Sequence, residues 1–227
     1  MKELINWIRT HRHSLLLLYL PCYLAAFFII DRLPLVHTII RCPLDSLIPF
    51  NQYMVIPYAI WYVWFPGWLL YFLLKSREDF IRLAVVMFSG MTISLMIYVI
   101  WPNGIDLREP ITGTDLCSKA VMLLRQADTP YGVCPSIHIS TIAAIMLVIG
   151  KTKLPDFNPT VRGYCLVITL LIAWSTMAIK QHSIVDVAAG ALLSVLLDYL
   201  YGVVKHGIVQ GKTGLSGDRG RKDTDLE

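Results

Sequence analysis

Long apolar runs alternate along the chain with short charged loops. No Asp, Glu, Lys or Arg occurs in 13–30, 46–74, 83–105, 129–150 or 163–179, and 187–204 is interrupted only by Asp198. A helix needs about 20 mostly apolar residues to cross the hydrocarbon core of a bilayer. The pattern therefore predicts spans near 14–30, 53–74, 82–101, 137–150, 163–179 and 184–204, the fourth being the shortest. Pro57 and Pro66-Gly67 predict a kink in the second span. One such run would fit the buried helix of a soluble core; six in succession do not. The fold class is an all-α integral membrane protein, a six-transmembrane helix bundle over 1–205. The polar, Gly-containing tail at 206–227 is expected to be disordered.

Composition sharpens this picture. Of 227 residues, 56% are hydrophobic and 16% charged, against about 25% charged in a typical soluble chain. The mean hydropathy is +0.58. A disordered chain is excluded, and the composition argues against a soluble globular enzyme. Of the 20 Lys and Arg, 14 fall in the termini and the loops on their side: Lys2, Arg9 and Arg12, the loops bearing Lys75, Arg77 and Arg82 and then Lys151, Lys153 and Arg162, and the basic tail. The other six are Arg32, Arg41, Arg108, Lys119, Arg125 and Lys180. Positive charge favours the cytoplasmic side. The termini are thus expected in the cytoplasm, with the loops at about 31–52, 102–136 and 180–183 facing the exterior. The first span ends in Phe27-Phe28-Ile29-Ile30-Asp31 without a small-residue cleavage site, so an uncleaved anchor is expected rather than a signal peptide. Cys42, Cys117 and Cys134 share the exterior side, where one disulfide is conceivable; no pair of Cys has metal-ligand spacing.

Two polar stretches stand out at the exterior starts of spans. The first is Cys134-Pro135-Ser136-Ile137-His138, at the fourth span. The second is Lys180-Gln181-His182-Ser183-Ile184-Val185-Asp186, at the sixth. Ionisable residues at membrane depth are costly and commonly functional. His182 and Asp186 are four apart and would share a face in a helix, with Gly190 continuing that face and leaving room for a neighbour. A carboxylate holding one imidazole nitrogen leaves the other as a nucleophile or base of fixed tautomer. The plainer reading is a polar helix start with a capping Asp. Ser136 after Pro135 reads as a helix N-cap, and a helix N-terminus suits a phosphate; His138 follows within the first turn. Arg108, on the exterior side, matches phosphate geometry. The segment Thr114–Ala127 has near-helical apolar spacing, with Thr114 as a candidate cap, and predicts an amphipathic helix at the outer interface.

Together these stretches resemble the type 2 phosphatidic acid phosphatase superfamily, which includes lipid phosphate phosphatases, sphingomyelin and inositol phosphorylceramide synthases and vanadium haloperoxidases. The family's Pro-Ser-x-His motif is matched by Pro135-Ser136-Ile137-His138. Its Ser-Arg-(five residues)-His-(three residues)-Asp motif is matched by Ser175, His182 and Asp186, with Val187 and Gly190 as common extensions. The resemblance covers about 80–204. It departs in two places. Thr176 stands where the motif has Arg. In the Lys-(six residues)-Arg-Pro motif Trp101 holds the Lys position, while Arg108 fits the Arg but is separated from Pro110 by Glu109.

The resemblance implies a lipid phosphatase that uses no metal or cofactor. His182 would attack phosphorus to form a phosphohistidine, Asp186 would orient it, and His138 would serve as acid and base. Arg108, Ser136 and Lys180 would hold the phosphoryl group. The implied substrates are phospholipid or polyprenyl phosphates in a lipid bilayer, and no nucleic acid is implied. The alternatives are a phosphotransferase with the same triad, towards which the missing cations lean, and an inactive membrane scaffold.

Overall fold

The computed structural model describes residues 6–7, 9–33 and 38–219. Lys2 and the end of the polar tail, 220–227, lie outside them. A 3₁₀ segment, Arg12–Leu18, runs into α1, Tyr19–Asp31. It is followed by α2, Val55–Lys75, and α3, Arg77–Ile100. Next come α4, Leu116–Ala127, and α5, Ile137–Lys151. Last are α6, Pro159–Ala178, and α7, Ile184–Arg219, which continues past His206 into the polar tail. Two short strands, β1 at Thr38–Ile39 and β2 at Asn103–Gly104, pair in parallel and tie the segment after α1 to the segment after α3.

Local sequence sets the helix starts. Ser76 caps α3 by accepting from Asp79 N–H at 3.2 Å, and Glu78 and Asp79 place negative charge in its first turn. Asn158 caps α6 with Pro159 at its first position. α4 starts one residue later than its sequence suggests: Asp115, not Thr114, is the cap, accepting from Cys117 N–H at 2.9 Å and Ser118 N–H at 3.1 Å. α2 is continuous through Pro66.

Among the described residues, five helical stretches are long and apolar enough to cross a membrane: Arg12–Asp31, Gln52–Lys75, Arg77–Ile100, Pro159–Ala178 and Ile184–Gly207. Their outer faces carry large apolar side chains. Leu192, Val195 and Leu200 on α7 and Val167 and Leu170 on α6 are all exposed, as a surface facing lipid requires. α5 is shorter, 15 residues, or about 22 Å at 1.5 Å per residue. The non-helical stretch before it is buried from Val133 to Ser136. Its polar backbone is satisfied inside the protein. Asn103 Oδ1 accepts from the N–H groups of Val133 and Cys134 at 3.0 and 2.8 Å, and Asn103 Nδ2 donates to Cys134 O at 2.9 Å. Irregular backbone at membrane depth is tolerated only under such conditions.

The centre of the bundle is the trio α3, α5 and α7. Small residues let these helices approach. A Cβ on Gly90 would lie 2.6 Å from Ser140 Oγ, and Ser194 Oγ donates to Ser140 O at 2.7 Å. Phe80, Leu83, Met87, Ile145 and Ile149 fill the core between them. α2 packs with α6, and α1 lies against α3. All five Cys are free thiols, so the conceivable disulfide is not formed.

Asp198, the one charge in the last apolar run, is paired. It is 2% exposed and accepts from Arg82 Nε at 2.7 Å and Nη2 at 2.6 Å, and from Lys151 Nζ. The triad staples α3, α5 and α7 at one end of the bundle, roughly 18 Å along α7 from Asp186. Removing the carboxylate leaves Arg82 largely buried beside a second cation. Asp198→Asn is expected to destabilise the protein by ~1–3 kcal/mol, below the ~3–5 kcal/mol of a fully buried pair because Lys151 is half exposed. The check is a lower melting temperature in detergent.

Candidate active site

Two helix starts converge at the other end of the trio. α5 begins just after Ser136, whose side chain accepts from Ile139 N–H at 3.4 Å, so the sequence-expected N-cap is in place. α7 begins at Ile184, with His182 two residues before it and Asp186 in its first turn. The two starts are joined directly, because Ser136 N–H donates to Asp186 O at 3.0 Å. Only Gly fits where they cross: a Cβ on Gly190 would lie 2.5 Å from Ser136 O and 3.2 Å from Ser136 N. Gly190→Ala must push α7 away from α5. The expected result is a loss of about 1–3 kcal/mol, read as a lower melting temperature in detergent.

The ionisable side chains form a chain of contacts. His182 Nδ1 lies 2.9 Å from Asp186 Oδ2. His182 Nε2 lies 3.1 Å from His138 Nδ1 and 3.2 Å from Ser136 Oγ. His138 Nε2 lies 2.8 Å from the Tyr58 hydroxyl. A carboxylate only accepts, so the His182 proton sits on Nδ1 and its Nε2 carries the lone pair. That lone pair takes a proton donated by His138 Nδ1, and His138 Nε2 in turn accepts from Tyr58 O–H. Every link then has one donor and one acceptor. Trp61 packs on the His138 ring, 4.2 Å between centroids, and donates from Nε1 to Thr141 Oγ1 at 2.9 Å. Asp186 is fully buried and His182 is 6% exposed.

The turn that carries His182 is held from both sides. Thr176 O accepts from Gln181 N–H at 2.9 Å and His182 N–H at 3.2 Å. The residue at the family's Arg position thus contributes backbone, not charge. Outside the turn, buried Asp45 accepts from Ser183 Oγ at 2.7 Å and Ile184 N–H at 2.9 Å. Lys180, expected beside the phosphate, does not line the cavity that reaches the histidines. It is 4% exposed, and its Nζ donates to Asp45 O at 2.9 Å and to Ile48 O. These contacts hold it in a left-handed conformation, φ 60°, that non-Gly residues rarely adopt.

Arg108 reaches the site indirectly. Its Nη2 donates to Asp128 O at 2.8 Å and to Gln181 Oε1. Both partners line the cavity; Arg108 does not. Burial lowers the affinity of its guanidinium for the proton, yet Arg stays charged. Burial raises the Asp128 carboxyl above its ordinary range, favouring the neutral acid. Of the other cations, Arg125 is committed to Glu109 O and Ile179 O, and Lys119 is exposed. Trp101 is 45% exposed at the end of α3.

The cavity, about 630 Å³, runs from the two histidines between α1, α2 and α3. Its far walls are Leu20, Leu24 and Phe27 of α1, Phe65 of α2 and Met91 of α3. His138, His182, Gln181, Asp128, Thr129 and Tyr62 are among its polar lining residues. Among the described residues no group of three or more His, Cys, Asp or Glu is placed to hold a metal ion. Sequence reasoning missed Asp45, Tyr58, Trp61, Asn103, Asp128 and Gln181. Of these only Gln181 sits inside a recognised stretch, and its place next to His182 was the one available signal.

No protein-family model matches the chain, and no curated protein matches it. Among solved structures, the crystal structure of Aquifex aeolicus LpxE is similar at 17% sequence identity and a TM-score of 0.48, covering 78% of this chain and 92% of that chain.

Proposed function

We propose that the protein is a membrane lipid phosphate phosphatase that works through a phosphohistidine at the extracytoplasmic face. The observation that carries this reading is the directed chain Asp186–His182–His138, at the N-terminus of α5, at the polar end of a largely apolar cavity. In this reading α5, completed by the buried stretch before it, is the sixth span, and the termini are cytoplasmic. The Arg82–Asp198–Lys151 cluster then marks the cytoplasmic end and the histidines the exterior end, in keeping with the charge bias of the loops.

His182 Nε2 carries the lone pair and attacks phosphorus in line. The bond from phosphorus to the lipid oxygen breaks, and His138, made a cation by the proton that the phosphate monoester brings, gives that oxygen its proton. The phosphoryl group takes the place of the contact between the two rings. Asp186 fixes the His182 tautomer and balances the positive charge on the phosphorylated ring. A water that gives its proton to His138 then attacks phosphorus, releasing phosphate and His182. The N–H groups at the start of α5 face the phosphoryl oxygens, and the apolar walls take the lipid chains. Such chemistry depends on positioning and charge stabilisation.

The test is product analysis with purified protein in detergent micelles. Phosphatidic acid, phosphatidylglycerol phosphate and polyprenyl pyrophosphate are offered with and without diacylglycerol or ceramide. Free phosphate is the expected product. A phosphorylated acceptor with little free phosphate would reassign the chain to lipid phosphotransfer, and no product from any substrate would favour the inactive scaffold.

A further inference from the structure

Gln181 is placed oddly for a residue without a function. It is 2% exposed, lines the cavity beside both histidines, and follows no core logic: a buried primary amide is costly unless both its ends are paired. One end is paired. Arg108 Nη2 donates to Gln181 Oε1. Because a guanidinium has donors only, this contact fixes the amide orientation: oxygen towards Arg108, NH₂ away from it. Gln181 Nε2 is buried and has no hydrogen-bond partner among the described residues. Two donor protons are thus held by a residue that lines the same cavity as His182, with no acceptor among the described residues. Among the described residues that line the cavity there is no Lys or Arg, although a phosphoryl anion needs donors and positive charge.

We propose that Gln181 is a phosphoryl-binding catalytic residue: its amide NH₂ donates to a non-bridging phosphoryl oxygen, and Arg108, gripping the amide oxygen, is the positioning residue that orients and polarises it. The charge of Arg108 reaches the substrate through a neutral amide, since hydrogen bonds in series strengthen one another in a low-dielectric site. This arrangement offsets the absence of cations at Trp101 and Thr176. It rests on the phosphatase reading for its catalytic consequence, but not for the binding of phosphate itself.

The decisive variant is Gln181→Glu. It keeps the shape and gives Arg108 a stronger partner, so a structural role would survive, while the donor is replaced by an acceptor. Loss of one well-aimed donor to a developing oxyanion lowers turnover by about 10²–10³-fold. The expected result is a fall of about 10²-fold in kcat/KM for a short-chain phosphatidic acid, with the melting temperature preserved. Gln181→Met, isosteric and without a donor, gives the same loss if the Glu protein does not fold. Arg108→Ala combined with Gln181→Met loses little more than Gln181→Met alone, because the two act as one unit. Inorganic phosphate provides a readout independent of turnover. Titrated into wild type it raises the melting temperature, and into Gln181→Glu or Gln181→Met it does not. Equal stabilisation of wild type and variants overturns the proposal, as does absence of phosphate binding by wild type. Phosphate binding that needs Gln181 in a protein that hydrolyses no lipid keeps this inference and rejects the phosphatase. Hydrolysis that needs His182 but is unchanged in both Gln181 variants does the reverse.

Discussion

On the proposed phosphatase reading, replacing His182 by Ala is expected to lower phosphate release from a lipid substrate by at least about 10⁴-fold, a loss on the scale seen when a covalent nucleophile is deleted. The size follows from the geometry. Among the described residues, His182 is the histidine whose ring nitrogen has its proton fixed by a buried carboxylate, Asp186 Oδ2 at 2.9 Å, while its other nitrogen faces the donor end of α5. No neighbouring group is placed to take over the attack. His138 Nε2 is held by Tyr58, and the Ser136 hydroxyl caps α5. The variant is expected to fold, because the turn is anchored mainly through its backbone, by Thr176 O and by Asp45. Phosphate release measured beside a melting curve separates lost chemistry from lost structure.

His138→Ala follows with a loss of roughly 10²–10⁴-fold, the range for a general acid and base. Two steps lose help, protonation of the leaving oxygen and activation of water. The loss is smaller than for His182 because the phosphorus–nitrogen bond can still form. A substrate carrying a leaving group that needs no proton, such as a nitrophenyl phosphate, therefore recovers the first step in His138→Ala and not in His182→Ala. Equal losses of both variants on that substrate would remove the acid role from His138.

Much of this site was legible in the chain, and for identifiable reasons. Pro135-Ser136 starts a helix through local chemistry, proline geometry and an N-cap, and those act in any context. His182 and Asp186 stand four apart at a helix start, a spacing that brings the pair together although His182 itself lies just before the helix. Long apolar runs give the spans α1, α2, α3, α6 and α7 because length and hydropathy are one-dimensional properties. The fourth run was harder. Its first residues are apolar yet not helical, being held by Asn103, 30 residues away. Partners at such separations leave no periodicity behind. Tyr58 and Trp61 looked like ordinary members of an apolar span, and only packing against α5 turns them towards His138. Lys180 shows the converse. Its place beside Gln181-His182 suggested a phosphate ligand, but the turn has φ 60° at that residue and directs the ammonium to the carbonyls of Asp45 and Ile48. Arg108, further away in sequence, reaches the site through Gln181.

The central claim is that His182 becomes covalently phosphorylated, and trapping that species tests it most directly. Purified protein is mixed with phosphatidic acid bearing a labelled phosphate, quenched in denaturant at alkaline pH, digested, and the labelled peptide sequenced by mass spectrometry. The His138→Ala protein, slowed in breaking the phosphorus–nitrogen bond, is run alongside to let the species accumulate. The account predicts a label that is stable to alkali, labile to acid, located on His182 and absent from His182→Ala. A label on any other residue, or lipid hydrolysis that persists in His182→Ala, would contradict it.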